Sequence, residues 1–126
     1  LGITVDWYRQ NDVLLVTFIE SWSGDEYLAA VEAANDRVRR VDGPVHVILD
    51  LREAALEPQG TVFQAGQKTL NAMPENVRTL FIVAPPRSFA RVLLRQFFRV
   101  YGRQRRMKDV TVIFADDLEE VTARLD

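Results

Sequence analysis

The chain has no cysteine and a single histidine in 126 residues. Without cysteine there is no disulfide framework and no thiolate zinc site, and the composition suits a reducing, cytoplasmic setting. A histidine-based hydrolytic triad would have to use His46. That residue stands early in an apolar strand, away from the carboxyl edge where parallel sheets hold ligands. Glycine signatures are missing too, and no dinucleotide fingerprint follows a strand. The stretch Gly60 to Thr69 fails as a phosphate loop, because five residues separate Gly60 from Gly66 and Gln67 stands before Lys68. A response-regulator receiver would need an acidic pair after its first strand and a lysine after its last, and neither is present. Apolar runs such as Leu80–Ala84 fall far short of the roughly 20 residues that cross a bilayer. Residues 1–20 carry no signal-peptide succession. No catalytic motif, cofactor or metal set is expected.

What is present is an ordinary globular composition, 48% hydrophobic and 27% charged, on a length that fits one domain over residues 1–126. Ile3–Tyr8 alternates Ile3, Val5 and Trp7 against polar neighbours, a half-buried strand. Gln10-Asn11-Asp12 supplies a turn, and Val13–Ile19 resumes as an apolar strand, so the two make a hairpin. Ser23 with Glu26 forms a capping box, flanked by a Trp22/Tyr27 hydrophobic staple. The helix they open buries Tyr27, Val31, Ala34, Val38 and Val41 and stops at Asp42-Gly43-Pro44. A buried strand over Val45–Leu51 is followed by a loop over 52–60 and a weaker helix over Thr61–Met73, interrupted by Gly66. Pro74-Glu75-Asn76 ends that helix. Val77–Ala84 is another buried strand, Ser88 caps a helix running to Tyr101 and Gly102, and Asp109–Ala115 is the last strand. Asp116 with Glu119 reads as a second capping box, opening a helix that buries Leu118, Val121 and Leu125.

The order β-β-α-β-α-β-α-β-α predicts an α/β fold. Its five-stranded mixed sheet has the first strand as an antiparallel edge, the others parallel in the order 1-2-3-4-5, and helices packed on it. This order, with Val47-Ile48-Leu49-Asp50-Leu51 ending the third strand and Val110–Ala115 leading into the capped last helix, resembles the STAS domain of bacterial anti-sigma-factor antagonists. The resemblance covers essentially the whole chain. It implies a non-enzymatic domain that docks a partner or holds a small ligand. Antagonists of that family carry a phosphorylatable serine in an Asp-Ser-Ser-Gly type of turn after the third strand. Here the stretch reads Leu56-Glu57-Pro58-Gln59-Gly60-Thr61, with Thr61 the nearest hydroxyl, so the phosphosite is not carried over.

Strand carboxyl ends offer Asp50, Arg52 and Ser88 as a weak anion or ligand site. Asp50 lies on the opposite strand face from Leu49 and Leu51 and can pair with Arg52 or cap a turn. Ser88 opens a helix whose free N–H groups could hold an anion, although a cap is the plainer use.

The distinctive feature is charge. Eight basic residues and no acid lie between Thr79 and Lys108, leaving 8 basic against 18 acidic residues elsewhere, a net of −10. Arg87, Arg91, Arg95, Arg99 and Arg103 recur every fourth residue, and the first four cover an arc of about 120° on the third helix. Phe89, Ala90, Leu93, Leu94, Phe97, Val100 and Tyr101 form the expected core face, with Phe98 projecting among the arginines and Val92 beside Arg99. Three uses stay open for this stripe. It can be a solvated face balanced by Asp116, Asp117, Glu119 and Glu120. It can dock a protein partner or a second copy through Arg87, Arg91, Arg95, Phe98 and Arg99. It can bind nucleic acid or anionic lipid, against which the acidic whole chain argues. The runner-up of another class is a carrier for a small apolar ligand or lipid. Trp7, Phe63, Phe81, Phe89 and Phe97, expected inside, could line its cavity.

Overall fold

In the computed structural model, which describes residues 2–55, 59–103 and 107–125, one sheet organises the chain. Its strands are β1 (Ile3–Arg9), β2 (Val13–Glu20), β3 (Val45–Ala54), β4 (Val77–Val83) and β5 (Thr111–Ala115). Between and after them lie α1 (Gly24–Arg39), α2 (Gln59–Ala72), α3 (Phe89–Tyr101) and α4 (Leu118–Leu125). The sheet order is β1-β2-β3-β4-β5. β1 pairs antiparallel with β2, and the remaining pairs are parallel. Asn11 sits at the β1–β2 turn with φ 60°, a left-handed conformation that asparagine tolerates.

Strand order without a skip puts successive crossover helices on one side, because parallel crossovers share a hand. Two separate cores result. Leu14, Val16 and Phe18 of β2, Val47 and Leu51 of β3, and Leu80 and Ile82 of β4 face a cluster that includes Val38, Leu70, Ala90 and Phe97 from α1, α2 and α3. On the other face, Val13, Ile48, Phe81, Val83 and Ala115 meet Val121, with Leu118 and Leu125 packed beside them. Period-two alternation along each strand divides the residues between these layers.

The capping box at α1 forms as the sequence predicts. Glu26 N donates to Ser23 Oγ at 3.1 Å, and Ser23 N donates to the Glu26 carboxylate at 3.1 Å. Gly2 N adds a second bond to that carboxylate at 2.9 Å. The Gly2 and Ser23 amides hold the Glu26 carboxyl down at about 2. Trp22 and Tyr27, the residues expected as a staple, both pack against Phe18, with ring centroids 5.1 Å and 6.4 Å from it.

Three local expectations shift. β3 continues to Ala54, so Arg52 belongs to a strand and not to a loop. Ile19 and Glu20 stay paired with Glu53 and Ala54 beyond a bulge, which prolongs the ladder. α2 begins at Gln59, two residues earlier than expected. The last helix is capped one residue further on: Glu120 N donates to Asp117 Oδ1 at 2.8 Å, and Asp116 N donates to Glu120 Oε1 at 3.1 Å. Asp116 is not free for that role because its carboxylate engages Arg91.

Candidate docking surface and strand-end residues

With β3 extended to Ala54, Asp50 lies inside the strand and not at its carboxyl edge; it is 6% exposed and is the one buried charged residue among those described. Both of its oxygens are engaged. Arg52 donates to Oδ1 through its backbone N at 3.2 Å and Nε at 3.0 Å, and to Oδ2 through Nη2 at 2.9 Å. Residues i and i+2 of a strand share a face, so one side chain folds back onto the other. The Asp50 hydrogen bonds push the Arg52 guanidinium further up from its ordinary value. One residue thus holds both oxygens of the carboxylate, in the bidentate geometry of a charge-assisted pair. Arg52→Ala leaves that buried carboxylate with one backbone donor. The expected loss is about 1–2 kcal/mol, kept modest because the Arg52 side chain is 40% exposed. Urea unfolding at neutral pH reads it, with Arg52→Lys intermediate.

Ser88 does not join this pair. Its hydroxyl accepts from Arg91 N at 3.2 Å and donates to Pro85 O at 2.8 Å, so it caps α3 in the opposite layer. His46 lies half-buried on β3 beside Val13 and Thr79, its Nδ1 without a hydrogen-bond partner. Among the described residues no three His, Asp or Glu side chains gather where a metal could sit. Leu56, Glu57 and Pro58 lie outside the described residues. Gln59, Gly60 and Thr61 open α2, and the Thr61 side chain also lies outside what is described.

The arginines of α3 divide into two groups. Arg91 is consumed: its side chain is 11% exposed, Nη1 donates to Ala84 O at 3.1 Å, and it pairs with Asp116. Arg95 is exposed and lies against β5, its Cζ 4.9 Å from the centroid of Phe114, where a cation–π contact steadies it. Arg87, Arg99 and Arg103 are exposed.

The apolar residues are redistributed. Phe98 does not project among the arginines. It is half-buried and packs edge-on to Phe97 and Phe114 at 5.1 Å and 6.4 Å. Phe89 and Val100, expected in the core, are 62% and 61% exposed, and Val92 is 50% exposed. The buried arc runs from Leu93 through Phe97, Ala90, Tyr101 and Leu94 to Phe98, about 40° from the arc expected at 100° per residue. The cause is the pair of supports on which α3 rests, Phe63 of α2 on one flank and Phe114 of β5 on the other. With apolar residues over more than half of its circumference, α3 has no single orientation that the sequence pattern can select. The outward face therefore carries Phe89, Val92 and Val100 with Arg95, Arg99 and Arg103.

No helix among the described residues is long and apolar enough to cross a membrane. No family model matches the chain, and neither the curated proteins nor the solved structures give a match.

Proposed function

We propose that this chain is a non-enzymatic, STAS-like interaction domain that docks an acidic partner protein through the outer face of α3. One observation carries the reading. Half of the large apolar residues exposed among those described, namely Phe89, Val92 and Val100, lie on one side of a single helix, among the exposed Arg95, Arg99 and Arg103. Exposed apolar residues are ordinarily scattered, and an aromatic anchor amid arginines is the composition of binding hot spots. Charge selects the partner: with no acid between Thr79 and Lys108 and Asp116 already paired with Arg91, the outward arginines favour carboxylates from outside the chain. The resemblance to STAS domains leads in the same direction, since the antagonists of that family act by docking. The cytoplasmic setting suited by the cysteine-free sequence belongs to the same proposal.

A photo-crosslinking residue at position 92, introduced in the native cells, tests it. The expected result is a discrete adduct with a protein of acidic surface, lost in Phe89→Asp and in Arg95→Glu/Arg99→Glu while thermal stability stays unchanged. Adducts only with a second copy, or recovery only with anionic vesicles, would overturn the partner assignment. Adducts that survive both variants would remove the face itself.

A further inference from the structure

α2 makes its closest backbone approach to α3, and the sheet beneath α1 and α2 is incompletely filled. Two adjoining cavities lie there. One, of about 80 Å³, sits between α1 and the sheet, against Val16, Ala34 and Val47. The other, of about 110 Å³, extends toward α3, against Trp22, Leu70 and Phe97. Phe18, Tyr27, Leu49, Thr69 and Leu80 wall both, and no charged residue among those described lines either. Outside them, between α1 and α2, runs a surface groove, and Tyr27 and Thr69 line it as well. These two side chains therefore stand where the groove meets both cavities.

They also supply the polar handle. The Thr69 hydroxyl donates to Ala65 O, one turn back on α2, at 2.9 Å. The Tyr27 hydroxyl is hydrogen-bonded to Thr69 Oγ1. With the threonine proton committed to Ala65, the phenol is the donor in that bond. Both protons are thus spent within the pair, and the capacity left over is that of acceptor lone pairs. Burial pushes the Tyr27 phenol up from its ordinary value, so it stays neutral.

We propose that these cavities form a binding site for a small, neutral, apolar molecule with one hydrogen-bond donor at its end, such as a phenol, a short alcohol or an indole-like ring. Apolar cavities of this kind stay dry and take apolar guests, and one of about 150 Å³ holds benzene. The larger cavity, of about 110 Å³, is of that order, enough for one small ring. Arg39 and Lys68 line the outer groove and neither cavity, so a carboxylate carried inside leaves them behind, meets no cation among the described lining residues and faces lone pairs at the handle; anions are rejected.

Calorimetric titration of the protein with p-cresol, toluene and p-toluate tests this on the unmodified chain. Saturable binding is expected for p-cresol and toluene, about tenfold tighter for p-cresol, and none for p-toluate. Tyr27→Phe combined with Thr69→Val, which removes both acceptor oxygens, should keep toluene and lower p-cresol to the same affinity. Ala65→Leu, which fills the larger cavity, should lose both ligands while retaining the wild-type melting temperature. Absence of saturable binding, equal affinity of toluene and p-cresol for the unmodified protein, or binding of p-toluate at the strength of p-cresol would overturn the proposal. So would unchanged affinities in a folded Ala65→Leu protein. The docking face of α3 is tested separately, and neither result bears on the other.

Discussion

Replacing Phe97 with alanine should lower stability by about 4 kcal/mol, a large share of the roughly 5–15 kcal/mol available to a domain. Phe97 is 2% exposed and is the largest of the fully buried side chains described. Its ring meets Tyr101 at 4.9 Å, Phe98 at 5.1 Å and Phe63 at 5.4 Å, so truncation removes burial and three aromatic contacts together. Urea unfolding should show a lower midpoint with little change in slope. Gly66 provides an internal control, because a Cβ there would stand 2.6 Å from Cε1 and Cζ of Phe97. Gly66→Ala gains about 1 kcal/mol of helix propensity and loses more to that clash, so on its own it destabilises. In a Phe97→Leu background the two ring atoms are gone, and Gly66→Ala should become neutral or stabilising. Additive effects in that cycle would show that α2 and α3 do not meet at this point.

The second large effect is expected at Asn76. Its side-chain amide donates to Val38 O at 2.8 Å, Gly43 O at 3.1 Å and Val41 O at 3.2 Å. One side chain from the turn before β4 thereby satisfies carbonyls at and beyond the end of α1, where helix acceptors are left without internal partners. Asn76→Ala should cost about 2 kcal/mol through those lost bonds. Asn76→Asp should cost about 3 kcal/mol at neutral pH, since a carboxylate would face three carbonyl oxygens with no proton to offer. Those oxygens raise the folded-state pKa of the introduced carboxyl, and the folded state then binds its proton more readily than the unfolded state. The deficit relative to wild type should therefore narrow as pH falls toward about 4. Thermal melts across that range check the sign, and a deficit that widened on acidification would contradict the assignment.

Asn76 also shows how far the sequence can be read. Pro74-Glu75-Asn76 reads correctly as the end of a helix, but the Asn76 amide serves carbonyls 33 to 38 residues away in the chain, at and beyond the end of α1. The Tyr27–Thr69 bridge escapes for the same reason. Each residue reads locally, one as a staple and the other as part of a weak helix, and only the approach of α1 to α2 makes them a pair. The Asp50–Arg52 pair was one of two uses the sequence left open for Asp50, and it took the extension of β3 past Leu51 to set both side chains on one strand face. The capping box of α4 was legible in kind and misplaced by one residue, because Asp116 was already taken by an arginine from α3.

The cysteine-free chain determined by itself what depends on neighbours a few residues apart. That covers the element order, the caps of α1 and α3, the alternation that sorts each strand between two faces, and the concentration of arginine in one helix. Periodicity and capping are short-range, so the pattern suffices for them. Tertiary structure alone decided how α3 is turned. Its apolar arc is too wide to choose a buried half, and the choice is made by Phe63 and Phe114, two rings from distant segments. That rotation took Phe98 and Arg91 out of the expected surface and set Phe89 and Val100 on it, beside Val92.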